Sequence, residues 1–218
     1  MQPLNFQLAT YDVTIQPTFL LLVAYFGLMT LQGGNVVGAV TIVCVVFLSL
    51  LMHELGHAAA ARRLKVRHGP VVLHGFGGYV QHQATTPARQ LLISLAGPAA
   101  MLVVGLPVAL ALDAGAVPEG VLVDVAWYVA VINVGWGLLN LLPMLPLDGG
   151  NALRAALGIV STPRTAALGS GAVGAALGAA IAVWGAMNGQ FFLMLIGGFS
   201  AWQSWSVLQA AQGRPSAS

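Results

Sequence analysis

Two histidines and a glutamate lie within five positions of one apolar stretch of the chain. His53 and His57 are spaced i and i+4, so on a helix their rings project from the same face and can share one metal ion. Glu54 follows His53 directly, which would place its carboxylate beside the metal, where it can polarise a water rather than act as a ligand. Such groups are costly to bury at membrane depth and usually mark a functional site. The pattern therefore favours a metal-dependent hydrolytic centre over a polar pair that merely bridges helices.

A third protein ligand is expected, because a catalytic zinc ion is normally held by three side chains and a water. Asp148 is the best candidate, since it follows an apolar span within the irregular stretch PMLPLDGG. Irregular backbone at membrane depth is tolerated only where it is buried in protein or lines a wet cavity. Asp148 could instead cap a helix that begins near Asn151, and the two roles are compatible. Three further histidines are interpreted as solvated or interfacial loop residues: His68, His74 and His82.

The composition indicates that these residues are positioned by membrane helices. Hydrophobic residues make up 58% of the 218-residue chain and charged residues only 6%, whereas a soluble domain carries about 25% charged residues. We predict an all-α polytopic membrane protein with about six transmembrane helices. The spans are expected at residues 19–31, 36–61, 91–112, 121–142, 166–187 and 191–209. A short membrane-associated strand or β-hairpin is expected after the second span, within residues 66–86.

The domain organisation is expected to be simple. Residues 1–218 are predicted to form a single integral-membrane domain. Its catalytic core would cover about residues 36–158, with accessory helices at about 17–32 and 165–210. The lone Cys44 excludes an internal disulfide and is expected to be a small buried apolar residue.

The basic residues fall on one side of the membrane if the six spans alternate. They are Arg62, Arg63, Lys65, Arg67, Arg89, Arg154, Arg164 and Arg214. By the positive-inside rule, both termini and the entrance to the active site are then cytoplasmic. A net charge of +2 carried by so few residues argues against nucleic-acid binding. We therefore expect a multi-pass protein of the cell membrane, and the Ala-, Gly- and Val-rich composition suggests a bacterial source.

Four motifs follow one another along the first two thirds of the chain. They are H-E-L-G-H at 53–57, F-G-G at 76–78, S-L-A-G-P at 94–98 and N-L-L-P-M-L-P-L-D-G-G at 140–150. In order and spacing they resemble the site-2 protease family of intramembrane zinc metalloproteases, peptidase family M50. The layout is most similar to the minimal six-span branch without PDZ or CBS domains. One departure is Met101, where the family often has Asn, so a polar contact made by that Asn is in doubt here.

The resemblance implies an activity and a role for each motif. The implied zinc ligands, for one ion per chain, are His53, His57 and Asp148. The implied catalytic residues are Glu54 as general base and Asn140 near the oxyanion. The implied substrate-binding residues, which would align an unwound substrate as an added strand, are Phe76, Gly77 and Gly78. The implied activity is hydrolysis of peptide bonds in or near the transmembrane segments of single-span membrane proteins.

Two other classes of function are compatible with the same residues. A metal-ion transporter could use the intramembrane histidines and aspartate for an ion in transit, but it would more naturally show repeated halves and further polar positions across its thickness. A non-catalytic membrane chaperone or adaptor derived from the protease would not need all of His53, Glu54, His57 and Asp148 intact. The oligomeric state is not indicated by the sequence.

Overall fold

The computed structural model describes residues 2–213, so Arg214 lies outside the described residues. The chain divides into two compact units: unit 1 comprises Met1–Ala84 and Ala96–Leu138, and unit 2 comprises Thr85–Leu95 and Leu139–Ser218. The helices are α1 (Phe19–Leu31), α2 (Val36–Arg63), α3 (Pro87–Asp113), α4 (Val121–Asn140), α5 (Asp148–Val160), α6 (Pro163–Met187) and α7 (Phe191–Gln212). The strands are β1 (Leu4–Leu8), β2 (Tyr11–Ile15), β3 (His68–His74) and β4 (Gly77–His82).

The helices confirm the predicted polytopic α-helical fold. Within the described residues, five helices are long and apolar enough to cross a membrane: α2, α3, α4, α6 and α7. The predicted first span, α1, is an apolar helix of only 13 residues. The short helix α5 was not predicted as a separate element, although a helix start near Asn151 was expected.

A four-stranded sheet belongs to unit 1, in the order β1-β2-β3-β4. The antiparallel pair β3–β4 confirms the hairpin predicted after the second span. The N-terminal hairpin β1–β2 was not predicted, and it joins the sheet through parallel pairing of Val13 with Val71. The sheet thereby gains two strands that lie far from the hairpin in sequence.

The core of unit 1 lies where α2 packs against this sheet. Val46 and Leu50 of α2 are buried in the same cluster as Val71 and Leu73 of β3. The prediction for Cys44 is wrong, because its position on α2 turns the thiol away from this buried stripe and leaves it exposed. The stripe continues along α2 to the residues of the predicted metal centre.

Unit 2 is built around the close pair α6 and α7, as the small residues of the fifth predicted span suggested. A Cβ added to Gly178 would lie 2.6 Å from the backbone nitrogen of Ala201, so no larger residue fits without movement. Gly174 lies in the same way against Ser204, and its Cβ would be 3.1 Å from Cα of Met144. The helix pair therefore also packs against the irregular stretch that precedes α5.

Candidate metal centre

His53 and His57 lie one turn apart on α2, and their rings converge as the sequence spacing predicted. Their Nε2 atoms are 3.1 Å apart, and both side chains are buried. Two nitrogen ligands at about 2.05 Å from a tetrahedral zinc ion would be about 3.3 Å apart. The donor type and the distance between the two nitrogens therefore fit two ligands of a single zinc ion.

A glycine of α3 leaves room for the His57 ring. A Cβ added to Gly97 would overlap Nε2 of His57 and would lie 2.6 Å from Cε1 and 2.8 Å from Cδ2. At the preceding residue of α2, a Cβ on Gly56 would lie 2.7 Å from the carbonyl oxygen of Ala96. The S-L-A-G-P motif thus has a physical role in unit 1. Its small residues let the backbones of α2 and α3 approach so closely that the His57 ring contacts Gly97.

Glu54 is also buried, with 4% of its surface exposed, and it faces the sheet. A Cβ added to Gly78 of β4 would lie 2.6 Å from Cγ and 2.7 Å from Oε1 of Glu54. The backbone of β4 therefore passes directly over the carboxyl group. Phe76, at the turn before β4, is 95% exposed.

Asp148 is held by the irregular stretch before it. It is the first residue of α5, whose N-cap position is occupied by Leu147, so the alternative capping role is not the one it has. A Cβ on Gly149 would overlap the backbone of Leu141, and one on Gly150 would lie 2.7 Å from the backbone nitrogen of Leu145. These two glycines allow the chain to fold back on the start of α5, which fixes the backbone at Asp148.

The same stretch is tied to α7. The backbone N–H of Leu145 donates to the hydroxyl of Ser204 at 3.0 Å, and Ser204 is fully buried. Asn140 is the last residue of α4 and lies in unit 2 with Asp148. Within unit 1 the structure brings together His53, His57, Glu54 and Gly78, whereas the joint action of these residues with Asp148 and Asn140 stays a prediction.

The remaining histidines belong to the β3–β4 hairpin and make local contacts. His68 stacks on Tyr11 with ring centroids 5.9 Å apart. Nδ1 of His74 accepts the backbone N–H of Phe76 at 3.3 Å, and partial burial lowers the pKa of this imidazole below its usual value. Nδ1 of His82 lies 2.9 Å from the carbonyl oxygen of Gln83. The three histidines were expected in a loop, but they lie at the ends of β3 and β4, where they are partly exposed.

One buried polar residue was missed by the sequence reasoning. The side-chain amide of Asn133 on α4 donates to the hydroxyl of Ser49 at 2.9 Å and to the carbonyl of Val129 at 2.9 Å. Ser49 precedes His53 by one turn on α2, and Asn133 is only 2% exposed. An amide in an apolar helix was the available signal, since such polar groups are rarely placed without a partner. The pair fixes α2 against α4 one turn from the histidines.

Comparison with known proteins identifies the family to which this chain belongs. The family model of peptidase family M50 matches residues 41–117 and 104–184, which together cover about two thirds of the chain. The chain belongs to peptidase family M50. Rip3 of Mycobacterium tuberculosis (strain ATCC 25618 / H37Rv) is 39% identical over 167 residues, which cover 69% of this chain and 42% of that protein.

Other M50 relatives are more distant. Zinc metalloprotease MJ0392 of Methanocaldococcus jannaschii is 25% identical over 157 residues, covering 70% of this chain and 44% of that protein. This M50 chain spans about half the length of the curated relatives it matches. The solved structure of a site-2 protease from Methanocaldococcus jannaschii shares its fold, with a TM-score of 0.68, 20% identity and coverage of 98% of this chain and 95% of that one. The family and the five apolar helices together make the chain a multi-pass membrane protein.

The departure noted at Met101 has a structural explanation in this M50 chain. Met101 is fully buried in the apolar cluster of unit 1. A Cβ added to Gly137 of α4 would lie 3.5 Å from Cβ of Met101, so α3 and α4 pack closely here. An apolar side chain suits this position, and a polar connection between α2 and α4 is made by Asn133.

Proposed function

We propose that this chain is an intramembrane zinc metalloprotease that hydrolyses peptide bonds in or near the transmembrane segments of single-span membrane proteins. The observation that carries the proposal is the burial of His53, Glu54 and His57 together on one apolar helix of an M50 chain. The name of the relative MJ0392, a zinc metalloprotease, supports zinc as the cofactor. Membership of a peptidase family does not favour the transporter or adaptor functions.

Three side chains are proposed to hold the zinc. His53 and His57 of α2 would hold the zinc with Asp148, whose carboxylate starts α5. Two imidazoles and one carboxylate form a three-ligand set that leaves a position open, as catalytic zinc sites require. When bound, zinc lowers the pKa of water and polarises a carbonyl group. The proposed catalytic core is about residues 36–158, with α6 and α7 as accessory helices that hold the stretch before Asp148 through Ser204.

The reaction steps fall to the side chains around this centre. The Glu54 carboxylate takes a proton from the attacking water as the water oxygen adds to the scissile carbonyl carbon. The side-chain amide of Asn140 donates to the oxygen that becomes negatively charged. Glu54 then gives the proton to the departing amine nitrogen as the C–N bond breaks. Burial of Glu54 keeps its carboxylate out of bulk water, where it would be less effective.

Substrate is proposed to bind along β4. This strand is the last in the sheet order, and strands at a sheet edge can accept an extended peptide as a further strand. Gly78 brings β4 next to Glu54, so a peptide added there would run close to the base. The exposed ring of Phe76 would contact such a peptide at the turn. A helical substrate must first unwind, because its peptide bonds are shielded by their own turn.

The proposed orientation follows from charge. The described basic residues lie at or just after the end of α2, in the first turns of α3 and α6, and within the short helix α5. Assigning these positions to the cytoplasm puts both termini and the entrance on that side. The proposed location is a bacterial cell membrane.

The proposal is tested by metal removal and replacement. The purified chain in detergent should contain about one zinc per molecule and cleave members of a panel of single-span membrane proteins. A strong chelator should abolish cleavage, and added Zn²⁺ should restore it, because the ligands and Glu54 act only as an assembled site. A chain that binds zinc but moves it across proteoliposomes without cleaving any substrate would contradict the proposal and support the transporter.

The proposed role of β4 gives a second expectation. Gly78→Ala places a methyl group against Cγ and Oε1 of Glu54, so either the strand or the carboxylate must move. We expect cleavage to fall by about 10- to 100-fold with zinc retained, since a 1 Å displacement of a catalytic group can cost about 100-fold.

Gly69→Ala is the matched control in the same hairpin. A Cβ on Gly69 would meet only the carbonyl oxygen of Gln81, at 3.8 Å, so this variant should cleave like wild type. Wild-type cleavage by purified, zinc-loaded Gly78→Ala would contradict the close approach of β4 to the base.

A further inference from the structure

Unit 2 contains a groove with two arginines that the protease function does not use. The groove has a volume of about 460 Å³ and is lined by residues of α5, α6 and α7. Arg154 lies on α5, and Arg164 lies at the second position of α6. The other lining residues are small or apolar: Pro163, Ala167, Val207, Ala210 and Ala211.

The guanidinium of Arg164 is held in place by the end of α7. Its Nε donates to the carbonyl oxygen of Ala211 at 3.0 Å, in the last turn of that helix. This contact uses one of the five N–H donors and leaves the planar fork of the side chain oriented in the groove. This contact anchors the exposed side chain of Arg164 to α7.

Among the described residues of unit 2, no Asp or Glu side chain balances the charge of the groove. Asp148 is the only Asp or Glu in the sequence of unit 2, and it does not line the groove. Two guanidinium groups in one groove repel each other, and a bound anion removes that repulsion. A phosphate group fits best, because each guanidinium can donate to it in a bidentate manner.

The surroundings indicate that the phosphate carries an apolar group. Ile159 and Val160, at the end of α5, are 53% and 83% exposed and precede Arg164 by only a few residues. Ala152 and Ala155 of α5 are buried, whereas Arg154 is exposed, so α5 exposes an arginine in its middle and apolar side chains at its end. This combination is typical of segments at the headgroup boundary, where cations reach phosphates and apolar side chains reach acyl chains.

We propose that the groove between Arg154 and Arg164 binds the phosphate of one anionic phospholipid, with Ile159 and Val160 against its acyl chains. Free inorganic phosphate shares the headgroup chemistry but cannot use the two apolar side chains. The site is separate from the proposed zinc ligands, and its test does not depend on proteolysis. In the proposed orientation, the lipid belongs to the cytoplasmic leaflet.

The test is a lipid titration of the full chain in neutral detergent, followed by native mass spectrometry. The probes are phosphatidylglycerol, phosphatidylcholine and inorganic phosphate. Wild type should retain one phosphatidylglycerol in preference to phosphatidylcholine, and millimolar phosphate should not displace it. Arg154→Gln with Arg164→Gln should weaken this binding at least about tenfold, because each arginine near anionic headgroups contributes appreciably to affinity.

A charge-matched control removes two arginines elsewhere. Arg63 and Arg67 are exposed and do not line the groove, so Arg63→Gln with Arg67→Gln should bind the lipid within about twofold of wild type. If the Gln variant fails to fold, Arg154→Lys with Arg164→Lys is tested in its place. This variant keeps both charges but lacks the planar guanidinium groups, so it should bind the lipid with intermediate affinity. Equal loss in the control, wild-type affinity in both groove variants, or displacement by phosphate would each overturn the proposal.

Discussion

Glu54→Gln is expected to abolish peptide-bond cleavage while the protein keeps its zinc. The amide has nearly the same shape as the carboxylate, but it cannot take a proton from the attacking water. Loss of a general base typically costs about 100- to 10,000-fold in rate. Because the proposed ligands are His53, His57 and Asp148, the metal content should stay at about one ion per chain. Zinc analysis and cleavage of the same purified sample are the two measurements.

The chain offers a matched control for this substitution. Glu119 is the only other glutamate in the sequence, and it is exposed between α3 and α4. Glu119→Gln makes the same chemical change and should cleave at the wild-type rate. Cleavage by zinc-loaded Glu54→Gln at a rate similar to that of Glu119→Gln would exclude Glu54 as the base.

The helical part of the fold was predictable because each membrane helix is indicated by the hydrophobicity of its own residues. A run of about 20 apolar residues has few alternatives in a bilayer, and the predicted spans agree with the helices to within a few residues. The hairpin β1–β2 was missed although Leu4, Phe6 and Leu8 alternate with polar residues. Its turn contains neither Gly nor Pro, and Ala9 adopts a positive φ of 53°, so the usual turn signal is absent. Its pairing with β3 is set by contacts across more than 50 residues, which no local pattern reveals.

The site was predictable to the extent that one helix carries it. The i, i+4 spacing of His53 and His57 is sufficient to bring their rings together on α2. The packing that surrounds them was not predictable from residue chemistry. Glycine contributes there by having no side chain, which allows a neighbouring element to approach closely. Gly78 and Gly97 appear in the sequence only as parts of motifs, and the structure explains them as the points where β4 approaches Glu54 and α3 approaches His57.

Gly97→Ala is therefore expected to have an effect as large as that of changing a ligand. The new Cβ would overlap Nε2 of His57, and the neighbouring ring atoms Cε1 and Cδ2 would be 2.6 and 2.8 Å away. The ring cannot turn aside without taking its nitrogen away from Nε2 of His53. We expect zinc affinity to fall by about 10- to 100-fold, as when supporting groups around a metal site are changed. Competition with a chromophoric chelator measures that affinity directly.

Gly135→Ala is the control that separates displacement of the His57 ring from the general effect of replacing a helix glycine by alanine. Gly135 lies on α4 in unit 1, and a Cβ added there meets nothing within 4 Å. Alanine is also the better helix former, by about 0.5–1 kcal/mol, so this variant should be at least as stable as wild type and bind zinc normally. Excess Zn²⁺ should recover part of the cleavage by Gly97→Ala, because the general base Glu54 is unchanged. Wild-type zinc affinity in Gly97→Ala would mean that His57 does not bind the metal in the position it occupies against α3.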